Sequence, residues 1–237
     1  MKKHLISAIL LTGIASTSFA QSGDVMQATA TTNKGDKMFE HQVGVQINGL
    51  INQVFNFSNT TPATSTNPYL LTYNINSVKS GWGLRVGLGY TYGANSTNNG
   101  VNTNTSNIND GHFRLGIEKR FKLADNWTAG AGADFVYNTN NDNTTATTIA
   151  FDTVTTTTKT VVSSYGGGVM AWLRYNVTKN LTIGTETSFY YTTGKQKITI
   201  DINSTNSTTL QPPSVTDNKV SNGAIALPIV FYLAVKF

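Results

Sequence analysis

The C-terminal segment most constrains what this chain can fold into. Ile225, Leu227, Ile229, Phe231, Leu233, Val235 and Phe237 occupy every second position, and the sequence ends on that last aromatic. Period-two alternation describes a strand with one apolar face and one different face. An apolar face of that length must be covered by a protein core or by lipid. The same texture recurs upstream, at 41–57, 69–77, 82–93, 111–123, 127–138, 161–176 and 181–198, so that with 223–237 there are eight candidate strands. No helical periodicity competes with it.

The second face decides which medium does the covering. Trp82, Leu84, Val86, Leu88, Tyr90 and Tyr92 share one face of the third segment, and Phe113, Leu115, Ile117 and Phe121 one face of the fourth. The charges fall on the opposite positions: Glu40, Arg85, His112, Arg114, Glu118, Arg120, Asp134, Arg174 and Glu186. A soluble barrel would show the reverse, with its charges outside. Charged residues make up only 12% of the chain, against roughly 25% in soluble domains. Aromatics near the segment ends (Trp82, Trp127, Tyr90, Tyr92, Tyr137, Tyr175) suit the interfacial girdles of a membrane barrel.

The front of the chain agrees with this. Lys2 and Lys3 precede an apolar run from Leu5 to Ile14, followed by small residues ending Ser18-Phe19-Ala20. This is the pattern of a secretory signal cut after Ala20; the apolar run is shorter than the ~20 residues of a spanning helix. Residues 1–20 are thus expected to be a signal peptide, 21–38 a flexible periplasmic leader and 39–237 the barrel. Two lysines go with the signal peptide, so the formal charge of +5 overstates that of the mature chain, and no nucleic-acid partner is expected. The absence of cysteine excludes a disulfide scaffold, thiol chemistry and a lipidated N-terminal cysteine.

The connections between segments alternate strictly. Lys79-Ser80-Gly81, Leu123–Asn126 and Val177–Asn180 read as tight turns, whereas 58–68, 94–110, 139–160 and 199–220 read as long polar loops. Short periplasmic turns, long external loops and an even strand number are the asymmetry of bacterial outer-membrane barrels. The expectation is an all-β, eight-stranded antiparallel up-and-down transmembrane barrel. The tight turn Leu123-Ala124-Asp125-Asn126-Trp127 and the ending Ala234-Val235-Lys236-Phe237 resemble the small outer-membrane barrel family typified by OmpX and the OmpA membrane domain. Asn67–Tyr73 and Gly81–Tyr90 are similar in style to Bacteroidetes-type members. The resemblance implies that Phe231, Leu233, Val235 and Phe237 form the signal read by the barrel-assembly machinery, with outer-membrane lipid as the other partner. It implies a fold and a location, not an activity.

Inside eight strands there is room for side chains and little else. Glycines alternate with the charges, as in Gly83-Arg85-Gly87-Gly89 and Gly184-Glu186, and would make space for long side chains crossing the lumen. Arg85, Arg114, Arg120 and Arg174 balance Glu40, Glu118, Asp134 and Glu186, so pairing is expected, because unpaired charge away from water is costly. A turn centred near Ala124 places Arg114 opposite Asp134. The alternative use of these residues is a narrow channel for small solutes, although balanced charges do not select by sign.

A rim enzyme acting on lipid, as some members of this superfamily are, needs a Ser/His pair with an acid. The mature chain offers His41, with no obvious serine, and His112, near Ser106 and Asp110. Neither pattern is specific, and no enzyme activity is expected. Metal-ligand spacing and phosphate-binding glycine loops are absent, so no cofactor is expected. The Asn/Thr-rich loops are the remaining candidates for function, through envelope structure or contact with an unidentified surface ligand. Asp152-Thr153-Val154 resembles a short O-glycosylation pattern.

Overall fold

A computed structural model describes residues 38–48, 68–149, 153–205 and 212–237. The expected signal peptide, most of the leader and most of the first long loop lie outside those residues. Eight strands run in chain order: β1 (Phe39–Gln46), β2 (Leu71–Ser77), β3 (Trp82–Asn98), β4 (Asn102–Lys122), β5 (Trp127–Ile149), β6 (Thr153–Asn176), β7 (Leu181–Ser204) and β8 (Ser214–Lys236). Each pairs antiparallel with its neighbours, and β8 pairs with β1, so the sheet closes into a barrel. Closure leaves no edge with unpaired backbone groups, which is what a sheet in lipid requires.

Three tight turns close one end of this barrel. Gly81 adopts φ +69° and donates its N–H to Ser77 O at 2.8 Å, while its carbonyl accepts from Arg120 N at 2.8 Å. A Cβ there would sit 2.8 Å from the Arg120 carbonyl oxygen, so both the dihedral and the space call for glycine. In the Val177–Asn180 turn, Thr178 Oγ1 accepts from the amides of Asn180 and Leu181 at 3.2 and 3.0 Å.

The outer surface carries the apolar face. Trp82, Leu84, Leu88, Tyr90 and Tyr92 of β3, Leu115, Ile117 and Phe121 of β4, and Phe231, Leu233, Val235 and Phe237 at the C-terminus are all exposed. Ile225 and Leu227 of the same set are exposed as well, and the side chain of Ile229 lies outside the described residues. Aromatics bracket this belt: Trp82 and Tyr92 on β3, Trp127 and Tyr137 on β5, Tyr175 and Tyr165 on β6. Across β5 and β6 they meet in register, Trp127 with Tyr175 and Tyr137 with Tyr165. About ten residues separate the members of each pair, the length of a tilted transmembrane strand. The protein is a transmembrane barrel.

Within the belt β8 contains Pro228, which has no N–H to give a ladder. The β7–β8 register shifts between Glu186 and Ser188, the irregularity that lets a strand proline be tolerated. Thr187 Oγ1 donates to Ala226 O at 2.8 Å beside it. Inward Val230 and Ala226, and outward Phe231 and Leu227, keep their faces across the shift.

The long connections differ from the expected loops. Most of 94–110, 139–160 and 199–220 is strand: β5 and β6 stay in register up to Ile149 opposite Thr153, and the β3–β4 connection narrows to a tip at Asn99–Val101. A ladder standing in water has no apolar face to display, so its sequence lacks the alternation by which strands are recognised. β-branched threonines and cross-strand hydroxyl pairs sustain it instead. Thr147 Oγ1 meets Thr155 Oγ1 at 3.3 Å, and Ser96 Oγ meets Thr105 Oγ1 at 3.4 Å. At the β3–β4 tip, asparagine side chains accept backbone amides: Asn98 Oδ1 from Gly100 N at 2.8 Å and Asn99 Oδ1 from Asn102 N at 2.7 Å.

Candidate functional site

Within the belt the inward positions of β2 to β7 build a charged layer across the lumen. Arg85, Arg114, Glu118, Asp134 and Glu186 are all buried. Glu186, from β7, reaches both Arg85 and Arg114: Arg85 Nη2 donates to Glu186 Oε2 at 2.7 Å, Arg114 Nη1 donates to Oε1, and Arg114 Nη2 lies 3.3 Å from Oε2. Arg85 also stands 3.4 Å from Asp134 and 3.8 Å from Glu118. It therefore serves three carboxylates from three other strands.

Neutral side chains complete the layer. Glu118 Oε1 accepts from the Asn74 and Asn76 amides, both at 3.0 Å, and its Oε2 accepts from the Trp172 indole N–H at 2.9 Å. Tyr190 donates its hydroxyl to Asp134 at 2.5 Å. The Arg114 guanidinium lies over the Tyr69 ring, 4.3 Å from its centroid. Arg174 lies 3.9 Å from the Trp172 ring centroid and donates to Gln42 Oε1 at 2.7 Å. Arg120 stands toward the tight-turn end, where it pairs with Glu40, as does Lys236 at 3.9 Å.

All seven residues assigned to the lumen thus face inward, but one expected contact differs. Arg114 does not meet Asp134. Residues 122 and 128 are paired, so the five residues between them, 123–127, centre the hairpin on Asp125 rather than near Ala124, and Asp134 stands opposite Gly116. Arg114 turns instead to Glu186, across the lumen. The glycines make the expected room: a Cβ on Gly87 would fall 2.6 Å from Arg114 Cγ, and one on Gly184 2.6 Å from Arg174 Cγ. Trp172, Asn74, Asn76, Tyr190, Tyr69 and Gln42 were not anticipated as members of the layer. Their signal was present in parity, since each of Asn74, Asn76, Trp172 and Tyr190 shares the inward alternation of a strand already carrying the pattern.

The layer separates two open chambers. At the hairpin end, a cavity of about 350 Å³ is lined by Tyr69, His112, Asn138, Tyr190, Thr192 and Asn222, among others. At the turn end, one of about 390 Å³ is lined by residues that include Glu40, Arg120, Asp125 and Lys236. Between them, the space left among Arg85, Arg114, Trp172, Arg174 and Glu186 is about 20 Å³. That is room for roughly one water molecule.

His112 and Ser106 do not come together. His112 Nδ1 lies 2.9 Å from Asn138 Oδ1, and Ser106, six positions away on the same strand, is roughly 20 Å distant along it; Ser106 donates to Asp142 at 3.4 Å. His41 faces outward, its Nδ1 2.7 Å from the Tyr73 hydroxyl. Among the described residues no group of three or more His, Cys, Asp or Glu side chains is placed to hold a metal ion.

No family model matches the chain, and no curated protein matches it either. Among solved structures it is similar to CarO of Acinetobacter baumannii, with a TM-score of 0.38 at 12% identity over 84% of this chain and 96% of that one. It is also similar to LpxR of Salmonella typhimurium, with a TM-score of 0.25 at 7% identity over 84% of this chain and 99% of that one.

Proposed function

We propose that this is an outer-membrane barrel of a Gram-negative bacterium, exported with removal of residues 1–20. Its tight turns face the periplasm and its hairpins stand outside the cell. The lumen is closed, and the protein acts in envelope structure or surface interaction through its Asn/Thr-rich hairpins rather than by passing solutes or by catalysis. The observation that carries this reading is the charged layer between the chambers, with a gap of about 20 Å³ at its centre. The belt takes outer-membrane lipid as its partner. The strand bearing Phe231, Leu233, Val235 and Phe237 is the segment offered to the assembly machinery, which its apolar alternation and terminal aromatic suit.

Recording from the purified protein in planar bilayers tests the closed lumen. A silent membrane is expected, and steady, reproducible steps would establish a narrow channel in its place. Lipid analysis of cells lacking the gene tests for a lipid-modifying role, where an unchanged lipid profile is expected.

A further inference from the structure

Outside the belt, at the hairpin end, the outward face of the barrel is nearly free of charge. The outward positions of β3, β4 and β5 there are Ala, Ser, Asn, Thr, Gly and Ile. The exceptions lie on the β6–β8 side. Lys195 and Lys197 of β7 and Lys219 of β8 are outward and exposed, with Lys159 of β6 farther out on the same face. Two acids share this face: Asp217, opposite Lys197, and Asp201 farther out.

The placement of two of these lysines has a cost. Lys195 and Lys219 are directly opposite one another in the β7–β8 ladder, so their Cβ atoms are about 5 Å apart, and like charges in that position destabilise a sheet. Among the described residues neither has an ion-pair partner within 4 Å. The pair stands four positions beyond Tyr191, the exposed aromatic at the edge of the belt on β7. Along a tilted strand that puts their backbone about 10 Å above the apolar layer, from where a lysine side chain reaches back into the headgroup zone that extends about 5–8 Å beyond the hydrocarbon. An anion at that level between the two ammonium groups would turn a repulsion into an attraction.

We propose that Lys195 and Lys219, assisted by Lys197, form a lipid-headgroup site on the outer wall of the barrel. It would take the phosphate groups of the glycolipid in the leaflet at the hairpin end. The inference rests on the outer-membrane reading above, which places such a phosphorylated glycolipid in that leaflet.

The test uses the full mature barrel, folded in neutral detergent and titrated with bisphosphorylated lipid A, with bound lipid counted by native mass spectrometry. The wild type should retain the lipid, and K195Q/K219Q should bind it at least tenfold more weakly. K195R/K219R should bind as the wild type does, as should K122Q, which alters a lysine at the turn end. Lipid A stripped of its phosphates should not be retained, and inorganic phosphate should not compete at matched ionic strength. Equal retention by K195Q/K219Q, equal binding of the stripped lipid, or displacement by free phosphate would each overturn the proposal. Heat-dependent gel mobility confirms that each variant is folded. Should the double variant not fold, the single variants K195Q and K219Q carry the same comparison. A folded barrel that ignores the phosphates removes this site while leaving the barrel and its closed lumen standing.

Discussion

Phe237, the last residue, and His41, in the first strand, are joined in both directions. The Phe237 amide donates to His41 O at 3.0 Å and the His41 amide donates to the Phe237 main-chain oxygen at 3.3 Å. Their rings stack with centroids 5.8 Å apart at an interplanar angle of 13°. The Phe237 ring therefore reinforces the β1–β8 seam from the outer side of the barrel. Phe237→Ala removes the ring but keeps the backbone pair. It should lower stability by about 1 kcal/mol, the scale of an aromatic pair, as read by urea titration in lipid vesicles. Deleting Phe237 removes the backbone pair as well and should cost more.

Glu186 is the shared acceptor of Arg85 and Arg114, so removing it strands the buried Arg114 and leaves Arg85 to Asp134 and Glu118. Glu186→Gln should destabilise by about 3–5 kcal/mol, the usual penalty for leaving a buried charge uncompensated, and Arg114→Met by less, because Glu186 keeps Arg85. The double variant should lose clearly less than the two single losses combined. Arg114→Met with Asp134→Asn should lie nearer additivity, because those two side chains form no ion pair and Asp134 is held by Tyr190 and Arg85. Coupling energies from a double-mutant cycle separate the two pairs. Full additivity for Arg114 and Glu186 would refute the cross-lumen pairing.

Much of this layer was legible because inside and outside alternate without exception along a strand. Once Leu227, Phe231 and Leu233 marked the outward face, parity assigned Arg85, Arg114, Glu118, Asp134 and Glu186 to the lumen. Parity says nothing about which charge meets which. That depends on turn length, where one position in the centre of the 123–126 turn moved Asp134 from Arg114 to Gly116. It also depends on contacts across the lumen, such as Arg114 with Glu186, which no ladder register encodes. Neutral partners were harder to see. Trp172 reads as one more girdle aromatic until its inward parity is noticed, and Asn74 and Asn76 read as ordinary polar residues. The hairpin extensions were missed for a different reason. Their Thr- and Asn-rich strands have water on their outer face, and amphipathic patterning identifies only strands that separate two media.

Gly87 faces Arg114 across the β3–β4 ladder, and a Cβ there would fall 2.6 Å from Arg114 Cγ. Gly87→Ala should therefore displace the guanidinium from Glu186 and cost about 1–3 kcal/mol, the range for overpacking. Gly93, where a Cβ would meet nothing closer than 3.7 Å, provides the comparison. Gly93→Ala should leave stability within ~0.5 kcal/mol of the wild type. Equal effects at the two positions would mean that the lumen has slack the packing does not suggest.

The same layer makes a prediction about conduction. Arg85 and Glu186 occupy the middle of the lumen, and truncating both removes one positive and one negative charge, so the remaining Arg114, Arg174, Glu118 and Asp134 still balance. Arg85→Ala with Glu186→Ala joins the residual gap of about 20 Å³ to the space the two side chains vacate. That links the chambers of about 350 and 390 Å³ into one water-filled path. Wild-type barrels in planar bilayers should be silent, and the double variant should show small steps with weak preference between cations and anions, because its charges remain matched. Gel mobility before and after boiling establishes that the variant is folded. A folded variant that stays silent would show that this layer is not the barrier, and would move the closure of the lumen to another level of the barrel.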